Sequence, residues 1–382
     1  MEHKKQELGR ILDFIADELN ITPTMMDKAV GSYEAVGKWL GEGIDYKVTI
    51  KPQGSMNLGT VVRPINEDDD YDMDLVCLLE DGQALLPKSL KGIVGRRLKE
   101  HEIYKQKLEK EGKRCWTMSY DGFHMDILPS SPQYPKTHNV CSTSIRLTHK
   151  QENGEYIDKY SDPDAYHDWF VDRMTVDKPI NKNGIFSECA TKIEKVPTYK
   201  KRTTLQKAIQ LLKRHRDIMF LDNSDDAPIS IIITTLAAHS YKGESNIYDA
   251  LTSIVDNMPN HIEYNNGEYK IRNPVMQEEE NFADKWNEKP QKAKNFFRWL
   301  TTVKKDILES PLKLSGIDEI GEVFKQCLGE KPVNRALNKY GEEMRTAREN
   351  NNLYVDGSKN GLVSTVTSSS LLKVKGHTFF GV

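Results

Sequence analysis

An α+β fold, a mixed sheet with helices followed by a helical half, is the class this sequence predicts, and three observations carry it. Strand-like runs with alternating side chains lie between Tyr46 and Thr148, with one exception at His261 to Ile271. Beyond about residue 160 the apolar positions recur almost wholly at helical spacing. The chain has 382 residues, 37% of them apolar, with 5 Trp, 16 Tyr and 11 Phe, which suffices for one large domain or two coupled ones.

The elements follow in order. Leu8, Ile11, Leu12, Ile15 and Leu19 fall on one helical stripe. Pro23 opens a second helix carrying Met26, Val30, Val36 and Leu40, which Gly41 and Gly43 stop. Tyr46 to Ile50 reads as a strand, followed by the turn Gln53-Gly54-Ser55 and a short polar helix ending at Gly59. Tyr71 to Leu79 is a second strand. Residues 87–110 are helical and highly charged, Trp116–Tyr120 and Phe123–Leu128 form a hairpin around Asp121-Gly122, and Ser142–Thr148 reads as one more strand. Helices are expected over 163–173, 203–220, 228–243, 246–257, 277–288, 291–308, 317–328 and 332–350. Asn265-Asn266-Gly267 interrupts them with a hairpin turn. The last thirty residues, rich in Ser, Thr, Gly and Asn, read as an extended tail. The expected division is 1–175 for the sheet core with its N-terminal helices, 176–350 for the helical domain and 351–382 for the tail, with a cleft between the first two.

Charge narrows the function. Lys and Arg number 54 against 57 Asp and Glu, a net charge of −3, which argues against a general nucleic-acid-coating protein. Five widely spaced cysteines without a CxxC argue against a disulfide framework. The first residues lack the apolar run of a secretory signal, and the apolar stretch from Ala227 to Tyr241 is too short to span a bilayer. A cytoplasmic location is the expectation.

The informative stretch is Gly54-Ser55-Met56-Asn57-Leu58-Gly59-Thr60 and, after it, Tyr71-Asp72-Met73-Asp74. On a strand, Asp72 and Asp74 project from one face while Met73, Leu75 and Cys77 take the other. Two carboxylates so close repel each other unless a cation separates them, and a hard divalent ion such as Mg²⁺ fits oxygen ligands and phosphate. Asp126, between Met125 and Ile127, adds a third acid on a later strand. Three acids on neighbouring strands can hold two metals, the arrangement for in-line phosphoryl or nucleotidyl transfer. The Gly54-Ser55 turn, leading into a helix, offers backbone N–H groups and a hydroxyl to a triphosphate. A solvated acidic loop explains an isolated DxD more often; the ordered combination of turn, DxD and third acid reverses that balance.

That order resembles the polymerase-β-type nucleotidyltransferase superfamily, and within it the cGAS/DncV-like nucleotidyltransferases (CD-NTases) of bacterial antiphage (CBASS) signalling. Gln53-Gly54-Ser55…Gly59-Thr60 is similar to the family's QGS…GT loop, with Arg63-Pro64 after it. The DxD falls on Asp72 and Asp74 and the third acid on Asp126. Ser161 to Phe170, the basic helix Leu205 to Asp217, and Asn273-Pro274 with Glu280-Asn281-Phe282-Ala283-Asp284-Lys285-Trp286 resemble further family elements; the last is much the most specific. The resemblance implies a polymerase-β-like core followed by a helical domain, with the active site in the cleft. It implies a metal-dependent synthase that makes a cyclic di- or trinucleotide from ATP or GTP, releases pyrophosphate, and activates an effector through its product. Asp72, Asp74 and Asp126 would be catalytic and hold two Mg²⁺ or Mn²⁺ ions. Gln53, Gly54, Ser55, Lys207 and Ser230 would bind nucleotide, Lys207 facing the donor triphosphate.

Other residues invite separate readings. Lys213 is expected to turn off the Lys207 stripe, and Arg214 to be solvated or ion-paired. Phe282 and Trp286 are expected in the core, with Asn273 and Asn281 satisfying backbone groups. His138, Cys141 and His149 do not complete a structural zinc site. Phe379, Phe380, Gly381 and Val382 either fold back on the protein or, as the resemblance implies, meet a ubiquitin-activating-like conjugating partner. No membrane association is expected. Two rival functions remain at this point: a tRNA- or antibiotic-modifying nucleotidyltransferase, and a catalytically silent nucleotide-sensing module.

Overall fold

The computed structural model describes residues 2–66, 69–134, 143–175, 191–199, 201–356, 361–363 and 371–374. Its centre is a seven-stranded mixed sheet built from β1 (Val48–Gln53), β2 (Tyr71–Leu79), β3 (Trp116–Tyr120), β4 (Phe123–Pro132), β5 (Ile145–Lys150), β6 (Tyr156–Ser161) and β7 (Thr191–Ile193). The path runs β6-β5-β4-β2-β1-β7, and β3 pairs with the first half of β4, whose second half pairs with β5. β2 is antiparallel to β1 and parallel to β4. Strand β6 was not expected from the sequence: only its pairing with β5 reveals it, since its side chains are mostly half-exposed and polar.

Helices α1 (Glu2–Glu18), α2 (Pro23–Gly43), α3 (Gly54–Leu58), α4 (Pro87–Lys99), α5 (Glu102–Lys107) and α6 (Pro163–Met174) punctuate this half. The second half carries α7 (Thr204–Met219), α8 (Ser230–Ser240), α9 (Ile247–Asn257), α10 (Asp284–Glu288), α11 (Pro290–Val303), α12 (Ser310–Lys313), α13 (Ile317–Leu328) and α14 (Glu330–Glu349). A π-helical turn, Lys304–Glu309, joins α11 to α12. The hairpin β8 (Glu263–Asn265) and β9 (Glu268–Lys270) turns at Asn266 and Gly267, both at positive φ, as the Asn-Gly pair requires.

Two apolar cores form, and they divide the N-terminal helices. The stripe of α2 (Tyr33, Val36, Leu40) packs with Ile50, Met73, Leu75 and Ile127 of the sheet. The stripe of α1 (Leu8, Ile11, Leu12, Ile15) packs instead with α7, α8, α9 and α14, as do Tyr166 and Phe170 of α6. Beyond residue 175 the chain still gives β7 to the sheet, and packing lends α1 and α6 to the helical half. A domain's core is defined by which stripes meet, and a short link lets neighbouring helices serve different cores.

The described part of the C-terminal stretch departs from the extended tail expected. β10 (Tyr354–Asp356), β11 (Gly361–Val363) and β12 (Leu371–Lys373) form a small antiparallel sheet in the order β11-β10-β12. Backbone pairing holds the segments Tyr354–Asp356, Gly361–Val363 and Leu371–Lys373, three-residue runs too short for an alternating pattern to show in a stretch of mixed composition. Phe379, Phe380, Gly381 and Val382, like His138 and Cys141, lie outside the described residues. No helix among the described residues is long and apolar enough to cross a membrane.

Candidate active site

The three acids meet through strand register. β2 and β4 run parallel with Asp74 directly beside Asp126 and Asp72 beside His124, so alternation brings all three carboxylates to one face. Met73 and Met125, also in register, are buried on the other face and fix which side the acids take. Across β1, Gln53 is the partner of Asp74, so the start of the Gly54-Ser55 turn abuts the second acid. Gly54 has φ +66°, in the left-handed region that glycine adopts without strain. The same position leaves no room for a side chain, because a Cβ there would sit 1.9 Å from Asp74 Oδ2.

Electrostatics mark the cluster as unusual. Asp74, partly open at its edge but closely enclosed by protein, is pushed up to about 7 by burial and by the charges of Asp72 and Asp126. Asp72 is raised too, by burial first and then by Asp126. Thr117 on β3 donates its hydroxyl to Asp126 Oδ1 and holds that carboxylate in place. Gln53 Oε1, buried beside the cluster, has no hydrogen-bond partner among the described residues.

These groups fit a hard divalent cation. The donors are all oxygens, they carry like charge, and the energy they store in mutual repulsion is what a cation would release. No three His, Cys, Asp or Glu side chains among the described residues converge as a closed ligand set. A nucleotide's phosphate oxygens supply ligands that protein side chains need not.

Helix α7 approaches the acids with a residue the sequence reading set aside. Lys213 is buried, donates from Nζ to Thr60 O (3.2 Å) and Thr60 Oγ1 (3.1 Å), and is drawn down to about 7 by burial, against the opposing pull of Asp217, Asp74 and Asp72. Lys207 instead pairs with Asp13 and Asp17 of α1, both at 2.9 Å, so the direction expected for these two lysines is reversed. Its pKa is raised because those two aspartates outweigh the burial that would lower it. Six residues of helix put the two lysines about 120° apart, and which of them faces the sheet depends on helix rotation, which local spacing does not specify. The expectation for Arg214 is corrected as well. It is 3% exposed and donates to the carbonyl of Arg63.

A capping box, with Thr203 and Gln206 bonding each other's backbone N–H groups, starts α7. Gln206, Gln210, Lys213 and Arg214 then donate in turn to the carbonyls of Leu58, Val61, Thr60 and Arg63. This buried polar stripe clamps the segment between the Gly54-Ser55 turn and β2 onto the helical half. Ser230 stands exposed at the first turn of α8, where Arg216 approaches its hydroxyl at 3.3 Å and also donates to Pro228 O and Asp217. Arg216 and Lys213 interact electrostatically. The basic residues therefore lead from the carboxylates through Lys213 and Arg216 toward Ser230. Residues expected to be structural are so: Trp286 is buried, Phe282 packs on the core, and the Asn273 and Asn281 side chains bond nearby backbone groups.

Comparison with known proteins places this geometry. A family model described as "Cyclic GMP-AMP synthase DncV-like, nucleotidyltransferase domain" matches residues 48–129, which contain all three acids and the turn. The chain is 30% identical to a c-di-GMP synthase of Roseivirga ehrenbergii, over 99% of this chain and 98% of that one. It is 23% identical to the cyclic dinucleotide synthase CdnG of Bradyrhizobium diazoefficiens, over 98% and 94% of the two chains. The structure of that CdnG in complex with GTP superposes with a TM-score of 0.67, covering 88% of this chain and 99% of the other. The Vibrio cholerae DncV cyclic AMP-GMP synthase in complex with nonhydrolyzable GTP is similar at 14% identity and a TM-score of 0.56, over 88% and 90% of the chains.

Proposed function

The chain belongs to the cGAS/DncV-like nucleotidyltransferase family, and we propose that it joins two nucleoside triphosphates, GTP among them, into a cyclic dinucleotide. It is a nucleotidyltransferase and a cyclic oligonucleotide synthase. The observation that carries the reading is the register of Asp74 beside Asp126, with Asp72 on the same face and Gly54 pressed against Asp74. GTP is favoured because the 30% identical relative is named a c-di-GMP synthase.

In each of two rounds, a ribose hydroxyl oxygen forms a bond to the α-phosphorus of a donor. The bond from that phosphorus to the α,β-bridging oxygen breaks, and pyrophosphate leaves with its electron pair. Asp126, held by Thr117, accepts the hydroxyl proton. Lys213 and Arg216 neutralise the leaving pyrophosphate, Ser55 and Ser230 offer it hydroxyls, and Gln53 Oε1 is available to an incoming donor group. Lys207 acts from a distance, holding α1 against α7. Asp72 and Asp74 would hold two divalent ions, Mg²⁺ or Mn²⁺, and Asp126 one of them. Such an ion, when bound, offsets the carboxylate repulsion and lowers the pKa of the attacking hydroxyl. The product would serve a CBASS-type antiphage response by activating an effector, and the terminal Phe379–Val382 would be read by a conjugating partner.

Incubation of the protein with Mg²⁺ and GTP, ATP or both, with products identified by mass spectrometry, tests this. Pyrophosphate release and a cyclic dinucleotide without any added acceptor are expected, with GTP alone sufficient. Turnover only in the presence of an RNA or aminoglycoside acceptor would overturn the reading.

A further inference from the structure

A second basic site lies behind the strand that carries the acids. It is a pocket of about 230 Å³ between the start of α2, the loop before β2, the β3–β4 turn and the start of α14. Tyr71 lines it, and alternation along β2 turns Tyr71 away from the face that presents Asp72 and Asp74. None of the three acids, nor Ser55, Lys213 or Ser230, is among its lining residues. The two sites are back to back and share both β2 and α7, from which Lys213 faces one and Arg214 the other.

The lining is chosen for anions. Among the described lining residues Lys28, Arg63, Arg214, Lys331 and Arg335 stand against the carboxylates of Glu18, Asp69 and Asp121, an excess of two positive charges. Arg214 is 3% exposed, and its Nε has no hydrogen-bond partner among the described residues, a costly state for a charged group unless a ligand completes it. Among these groups Lys28 pairs with Asp121 at 2.7 Å, and Arg335 reaches Glu18 at 3.9 Å. The 20-residue helix α14 begins here without a side-chain cap, and Lys331 and Pro332 of its first turn line the pocket. Its first free N–H groups and dipole add to the positive field.

We infer that this pocket is a second anion-binding site, separate from the carboxylate cluster, for a small phosphate-bearing molecule. Guanidinium groups with planar forks suit phosphoryl oxygens, and Tyr71, Pro64 and Pro332 give an apolar wall for a compact organic body. The ligand class is a mono- or diphosphorylated small molecule, whose phosphoryl oxygens the guanidinium groups would meet.

Titration calorimetry of the full chain with inorganic pyrophosphate, in buffer free of divalent cations, tests the site. One-site binding is expected, retained in Lys213→Ala. Lys28→Glu and Arg335→Glu, both at exposed positions, should each weaken it about tenfold or more. Lys28→Gln and Arg335→Gln, milder changes checked for unaltered thermal melting, should weaken it in the same order. Absence of binding, indifference to all four pocket variants, or loss of binding on Lys213→Ala would overturn the inference. The last outcome would place the anion beside the catalytic cluster and leave the synthase reading untouched.

Discussion

Gly54 and Asp74 lie so close that a β-carbon on the first would stand 1.9 Å from a carboxylate oxygen of the second. The contact links the turn that would cradle phosphate to the acid that would hold metal, and it makes the glycine a steric requirement. Gly54→Ala should displace Asp74 and strain a backbone at φ +66°, a conformational cost of about 1–2 kcal/mol. Synthesis should fall by about two orders of magnitude or more, with the chain still folded by circular dichroism. Near-normal turnover would mean the turn and Asp74 are not jointly catalytic.

Asp72→Asn with Asp74→Asn should abolish product in the pyrophosphate-release assay. In cation-free buffer at pH 8 the same protein should melt at a higher temperature than the parent, because the repulsion that raises Asp72 and Asp74 is gone.

The pH dependence has a definite sign. The folded pKa of Asp74, about 7, lies above its unfolded value of 3.8, so the folded state binds more protons between them. Stability of the cation-free protein should therefore fall as pH rises from about 4 to 7, by on the order of 4 kcal/mol from this group. Lys213 is depressed from 10.5 to about 7, so its penalty is full below pH 7 and is relieved as pH climbs toward 10.5. The two together give a stability minimum near neutrality. Thermal melts across this range should show it, and Mg²⁺ should raise the melting temperature more at pH 8 than at pH 5. Equal Mg²⁺ effects at both pH values would count against binding at Asp74.

Lys213→Ala and Lys207→Ala should separate by readout. The first removes a cation whose charge acts on both Asp72 and Asp74 and should weaken nucleotide binding by about 1.5–3 kcal/mol. The second breaks two ion pairs to α1 and should lower the melting temperature, with a smaller change in nucleotide affinity. Fluorescence titration with GTP beside a melt of each variant checks this.

Deletion of Phe379–Val382 should leave purified synthase activity intact and abolish C-terminal conjugation in cells. Loss of synthesis by the isolated enzyme would make that segment structural.

The sequence by itself determined the chemistry's raw material. Alternation along one strand puts Asp72 and Asp74 on a common face whatever the rest of the chain does, and the Gly54-Ser55 turn and Asn266-Gly267 hairpin depend on backbone freedom that a few residues specify locally. Most helices of the second half were likewise legible, because a stripe repeating every three to four residues is a short-range signal. Of the helix expected over 277–288, however, only Asp284–Glu288 forms. Tertiary structure alone decided what meets what. The parallel register of β2 with β4 brings Asp126 to Asp74, across a separation no local pattern encodes. The rotation of α7 gives Lys213 to the acids and Lys207 to α1, although both lie on one basic helix and carry the same charge. Packing also assigned α1 to the helical core, paired the short β10–β12 strands, and buried Arg214. The physical reason is common to these cases: side-chain direction within an element follows from backbone geometry, while the partner on the far side follows from which apolar stripes collapse together.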